Sequence, residues 1–133
     1  MRWTVHPSAE MIAAAARSYR KLVAGGRLKF GVGSADATGQ PDESVDAGYS
    51  VNTVYFWPDL MAAMVEIARV LKPGAVFVNA LYTAETLGNL PHTAHGYRKY
   101  EPSELVRGAQ QVGFAAAAVP LLDGKAFCVR AVK

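Results

Sequence analysis

The chain has one cysteine, Cys128, among 133 residues. A lone thiol excludes an internal disulfide framework, and the reading that fits it is a reducing, cytoplasmic setting. It sits in an alternating run, Phe127-Cys128-Val129, which predicts a buried core thiol. No apolar stretch reaches the ~18 residues of a membrane span, and the N-terminus lacks the charged-then-apolar pattern of a signal peptide. Blocks of like charge are also missing. Fourteen basic and eleven acidic residues leave a net charge of +3, and the basic ones are scattered, which argues against nucleic acid as a partner. Arg17, Arg20 and Lys21 read as a solvated helix face. The two nearby histidines, His92 and His95, have no third ligand close in sequence, so no metal site is expected. No internal repeat is visible. With 51% hydrophobic residues, the chain has enough apolar surface for one folded domain, 1–133.

What is present is organised around residues 44–82. SVDAGYSVNTVYFW is rich in β-formers. PDLMAAMVEIARVLKPG follows, with Leu60, Met64, Ile67, Ala68 and Leu71 at helical spacing. Pro58 suits a first helical turn and Asp59 the positive end of the macrodipole. Lys72-Pro73-Gly74 is a stop signal, because Pro73 has no backbone N–H. AVFVNALY is a second strand. Strand, helix and strand with short joints predict a βαβ unit, hence a parallel sheet with a right-handed crossover.

The flanks read in the same alternation. Trp3–Val5 is a short strand, and Ser8 is a good N-cap for a helix carrying Ile12, Ala15, Tyr19, Leu22 and Val23 on one side. That helix is expected to end at Gly25-Gly26. Leu28, Phe30 and Val32 alternate as a strand, and 33–44 is a polar loop. Residues 83–100 lose all periodicity, with room for a short helix near Ala84; a loop this long is expected to be a lid on the substrate side. Pro102 opens a helix through Leu105, Ala109 and Val112. Ala115–Leu121 and Lys125–Val132 are strands joined at Asp123-Gly124, a two-residue hairpin signal.

The wording of SVDAGYSVNTVYFWPD, EIARVLKPG and VFVNAL closely resembles class I S-adenosylmethionine (SAM)-dependent methyltransferases of the small-molecule kind. The resemblance runs from Val5 to Lys133, with Gly74-Ala75 where the family has a double glycine. It implies an α/β fold: a three-layer, Rossmann-like parallel sheet ending in an antiparallel hairpin. It also implies SAM as cofactor and a small molecule as methyl acceptor. Asp36 and Ala37 match the family's Gly-Asp-Ala segment, where the Asp accepts from the adenine amino group and the next N–H meets the ring. A plain turn aspartate is the competing reading of Asp36. Asn52 and Thr53 match the strand end beside the methionine part of the cofactor. Tyr55, Phe56 and Trp57 follow and are candidates for a substrate pocket, although three aromatics entering a helix also suit a core. Tyr97 is a candidate for the same pocket under the 83–100 loop. His92 and His95 are candidate general bases. His6 falls where the family has an acidic residue that grips both ribose hydroxyls, and an imidazole cannot accept two hydrogen bonds.

The chain departs from the family in one large respect. The family's first strand, with a Gly-x-Gly-x-Gly turn that lets the backbone approach the cofactor, has no counterpart among these residues. The resemblance starts at the family's second strand, so the domain reads as N-terminally incomplete. In the family order 3-2-1-4-5-7-6 the missing strand is central, which leaves a gap of roughly 9.6 Å in the sheet. Two expectations follow from it. The isolated chain is a weak or inactive methyltransferase domain, or it is a catalytically dead methyltransferase-like module that associates with a partner or a full-length homologue. Either strand Trp3–Val5 pairs directly with Val45–Val51, or a second copy or partner chain completes the sheet, the latter being favoured.

Overall fold

The computed structural model describes residues 1–133. The chain divides into two compact units, Met1–Gly39 and Gln40–Lys133, and the strands form two separate sheets.

The first unit is a small βαβ crossover. Strand β1 (Arg2–His6) lies parallel to β2 (Leu28–Val32), in register from Arg2 opposite Leu28 to His6 opposite Val32. Between them, helix α1 (Ala9–Ser18) starts at Ser8, whose hydroxyl accepts from the Met11 N–H at 3.2 Å. This satisfies one of the orphan donors of the first turn. The expected single helix is broken. Tyr19 leaves helical geometry (φ −110°, ψ 26°), its ring packs 6.3 Å from that of Phe30, and a short α2 (Arg20–Ala24) follows. The stop at Gly25-Gly26 is as expected, with Gly26 at φ +70°. Leu28 is the unit's one buried hydrophobic residue.

The second unit holds most of the core. Strand β3 (Val45–Val51) pairs parallel with β4 (Leu71–Tyr82), and helix α3 (Leu60–Val70) makes the crossover. Asp59 caps α3, accepting from the Ala62 N–H at 3.1 Å, so Pro58 lies before the helix and not in its first turn. The Lys72-Pro73-Gly74 signal ends the helix, as expected. It does so inside a strand: β4 already begins at Leu71, and its register against β3 jumps from Val45–Leu71 to Ala47–Val76. Gly74, at φ +82°, absorbs that bulge.

The four strands are ordered β3-β4-β6-β5, with β6 (Ala126–Val132) antiparallel to both β4 and β5 (Ala115–Leu121). Leu60, Met64 and Ile67 of α3, with Leu105 and Ala109 of helix α5 (Pro102–Gln111), cover one face of this sheet. Beneath them lie Phe77 and Leu81 of β4 and Phe127 and Val129 of β6. Gly108 of α5 faces Leu60 and Met61 of α3, and a Cβ there would make ordinary contact with Leu60 at 3.5 Å.

Two further expectations need correction, and the less favoured of the two ways of completing the sheet is not seen. The β5–β6 connection is not a two-residue hairpin: Leu121 pairs with Ala126, and the four residues between them include Leu122, Asp123 and Gly124 at positive φ. Cys128 is half-buried, because it points to the sheet face opposite α3 and α5. The pairing of β1 with β3 is not formed. β3 is an edge strand, with Tyr49 at 65% and Val51 at 54% exposure.

Candidate functional site

Ligands of open α/β sheets bind beyond the carboxyl ends of parallel strands. In the first unit, His6 ends β1 and residues 33–37 follow β2. The His6 Nδ1 accepts from the Ser8 N–H at 3.0 Å. Its proton therefore resides on Nε2, and the ring serves the turn that starts α1. Ser34 and Ala37 close a tight turn through paired backbone bonds, Ser34 N to Ala37 O at 3.2 Å and Ala37 N to Ser34 O at 3.1 Å. The exposed Asp36 carboxylate accepts from the Ser34 hydroxyl. The Ala37 N–H that the resemblance assigns to an adenine ring is thus held by Ser34 in this structure.

In the second unit, Asn52 follows β3 directly. It adopts φ +54°, a left-handed geometry that asparagine tolerates well, and its N–H donates to Ala80 O at 2.9 Å. Thr53 is exposed, and its hydroxyl bonds to that of Ser50. A 3-10 turn, Val54–Phe56, carries the chain on. Tyr55 is buried, at 3% exposure. Its hydroxyl accepts from the Tyr82 N–H at 2.6 Å and donates to Asn52 Oδ1 at 2.9 Å. Burial pushes the Tyr55 phenol above its ordinary value, so it is a proton donor at neutral pH.

Tyr55, Phe56 and Tyr97 form one aromatic cluster. Tyr97 lies 5.5 Å from Tyr55 and 4.7 Å from Phe56, edge to face with the latter, and His92 stands edge to face with Tyr97 at 5.9 Å. The 83–100 segment is more ordered than a bare loop. It contains α4 (Ala84–Gly88), capped by Thr83, and a 3-10 turn at Pro91–Thr93. The buried Thr93 hydroxyl donates to the Leu87 and Leu90 carbonyls.

A cavity of about 120 Å³ opens here. Asn52, Tyr55, Tyr82, His92 and Tyr97 supply its polar and aromatic lining, and Leu87, Leu90 and Thr93 the remainder. Phe56 and Trp57 do not line it: Phe56 is 55% exposed, and Trp57 packs against the core. His95 is exposed and outside it as well. Sequence reasoning missed Tyr82, although its place at the carboxyl end of β4 marks it. A larger depression of about 290 Å³ lies at the α1–α2 break. It is lined by the consecutive residues Ser18–Leu22 and gathers no convergent groups. No cluster of three metal-ligating side chains exists in the chain, and no helix is long and apolar enough to cross a membrane.

The architecture defines a Rossmann-like α/β protein whose parallel strands feed an antiparallel pair. Residues 3–79, more than half of the chain, match the methyltransferase domain family, and the chain belongs to it. The sequence matches no curated protein. Among solved structures, the putative methyltransferase of Haloferax volcanii in complex with the Trm112 methyltransferase activator is 23% identical, with a TM-score of 0.81 over 98% of this chain and 70% of that one. A SAM-dependent methyltransferase from Aquifex aeolicus is 18% identical, with a TM-score of 0.78 over 98% and 67%. Geranyl diphosphate C-methyltransferase from Streptomyces coelicolor, bound to Mg2+, geranyl diphosphate and S-adenosyl-L-homocysteine, is 16% identical, with a TM-score of 0.77 over 98% and 64%. These likenesses establish the Rossmann-like methyltransferase fold.

Proposed function

We propose that the chain is a methyltransferase-like domain that binds SAM weakly and takes a small-molecule methyl acceptor. The observation that carries this is the family match over residues 3–79; within the first unit His6 ends β1 and Asp36 follows β2, and within the second Asn52 follows β3. When bound, SAM supplies an electrophilic methyl group on a sulfonium. The task of the chain is to hold and orient the donor and acceptor, and much of the rate of such reactions comes from that positioning.

The fit to the cofactor is partial. The Asp36 carboxylate is exposed and can accept from an adenine amino group, whereas the Ala37 N–H is taken by Ser34 O. Asn52 offers an amide beside Thr53. His6, with Nδ1 engaged, offers one N–H and cannot accept from a ribose diol. A carboxylate in place of His6 would accept two charge-assisted hydrogen bonds of about 1.5–3 kcal/mol each, so their loss weakens binding on the order of 10³-fold. His92 is the better placed of the two candidate bases, because it lines the cavity and His95 does not.

Calorimetric titration with SAM and with S-adenosylhomocysteine tests the reading. Weak heats that fall in Asp36→Ala, and that strengthen in His6→Asp, are the expected result. Undetectable binding of both ligands to the wild type and to His6→Asp at millimolar concentration overturns it.

A second reading is an inactive module that pairs with another copy or another chain in a reducing, cytoplasmic setting. It is favoured by the free, apolar edge at β3, a ready template for strand pairing. The activator complex of the Haloferax protein is a precedent for a partner. Light scattering after size-exclusion chromatography separates the two: a sharp peak at the monomer mass of 14.2 kDa argues against self-association.

A further inference from the structure

We propose that Tyr55 fixes the polarity of Asn52, so that the cavity presents an N–H donor and takes a small ligand bearing an oxygen acceptor, such as a carboxylate or carbonyl. The Tyr82 backbone N–H can only donate, so at that contact the Tyr55 oxygen accepts, at 2.6 Å. The one phenolic proton of Tyr55 is donated to the carbonyl oxygen Oδ1 of Asn52, at 2.9 Å. The Asn52 NH2 group is left as the outward polar group. The backbone holds this arrangement at both ends. Asn52 N–H is tied to Ala80 O, and Tyr82 belongs to the β4 ladder opposite Ala126. Tyr55 itself is buried and cannot swing into solvent.

The rest of the cavity limits what the donor meets. At about 120 Å³ it is well below the roughly 300–1,000 Å³ of a site for a drug-sized ligand. It therefore receives one functional group with a short apolar or aromatic body, laid against Tyr97 and the leucines. A cluster of aromatic rings by itself would also suit a cation. The Asn52 amide argues against that, because it lines the cavity with its Oδ1 taken by Tyr55, and what it has left to offer a ligand is a donor. Tyr55 is accordingly a positioning residue and Asn52 a specificity-determining one. Only the description of this ligand as the methyl acceptor rests on the proposed methyltransferase function, and the test below uses no SAM, so the two readings fail separately.

The test is a titration of 15N-labelled protein with benzoate and with benzylammonium, following the side-chain NH2 resonances of Asn52 and the affinity of each probe. Wild type is expected to bind benzoate in preference, with the Asn52 NH2 signals shifting. Tyr55→Phe removes the proton that orients the amide, and benzoate binding is expected to fall about fivefold, as for the loss of one neutral hydrogen bond. Should Tyr55→Phe fail to fold, Asn52→Asp carries the test, because an aspartate still accepts from Tyr55 and tolerates the left-handed geometry. Asn52→Asp replaces the donor by an acceptor, so benzoate binding is expected to be lost and benzylammonium to be preferred. Preference of the wild type for benzylammonium, an unchanged preference in Asn52→Asp, or no response to either probe at millimolar concentration overturns the proposal.

Discussion

Asn79 is 1% exposed in the middle of β4, and neither its amide nitrogen nor its carbonyl oxygen has a hydrogen-bond partner. It faces α3 and α5, between Phe77 and Leu81 along the strand, and is flanked in the ladder by Ser50 and Val129. Each unpaired buried polar group costs about 1–3 kcal/mol. Asn79→Val removes both groups at similar volume, and a β-branched side chain suits a central strand. Burial of the valine adds stabilisation of its own, about 1.5–3 kcal/mol at full burial, which any residual structure in the unfolded chain reduces. These terms are upper estimates, and the net expectation is a gain of at least about 1 kcal/mol, or a rise in Tm of roughly 4 °C per kcal/mol for a chain this size. Urea denaturation with an unchanged m-value is the assay. Asn79→Ala is the control, since it removes the same polar atoms but leaves a cavity, and it should be less stable than Asn79→Val. A loss of about 1 kcal/mol or more in Asn79→Val refutes the reasoning, and would mean that the amide is satisfied in solution by an internal water.

Two further expectations concern the second unit. Asp59→Ala deletes the cap of α3 and should cost about 1 kcal/mol, whereas Asp59→Asn should keep most of it; equal losses in chemical denaturation would show that the Ala62 N–H contact is not what the aspartate provides. The Asp46 carboxylate is held below its ordinary value of 3.8 by the hydrogen bond, and then the charge, of Lys72 at 2.7 Å. Its folded value lies below its unfolded one, so the contribution is present above about pH 4 and is lost as pH falls through the folded value. Both side chains are solvent-facing, so the effect is small; Lys72→Met should reduce the stability difference between pH 7 and pH 3, and an unchanged acid limb would count against the pair.

The order of elements was legible because it is written in local periodicity. The stripe of Leu60, Met64 and Ile67 is buried as its spacing requires. Ser8 caps α1, and the run after Asp123-Gly124 returns antiparallel to β5. The errors lie where a distant contact overrides a local signal. Tyr19 leaves the helix with its ring on Phe30. The Pro-Gly pair after α3 becomes a bulge because Gly74 N–H bonds to Lys133 O, far along the chain, at 2.9 Å. The hairpin is longer than its two-residue signal because Leu122 and Asp123 both take positive φ.

For the site, the sequence alone determined the family and the candidates at strand ends, because strand termini and their polar residues are local features. It could not rank Tyr55, Phe56 and Trp57, three adjacent aromatics of similar character. The tertiary structure separated them: Tyr55 is buried in the wall of the cavity, Phe56 is exposed, and Trp57 packs on the core. It also decided which way the Asn52 amide faces. That outcome depends on a proton held between residues 52, 55 and 82, and the parallel pairing of β3 with β4 brings those positions together. Periodicity records which face of an element is buried; a hydrogen bond across 27 residues exists only once the sheet has formed.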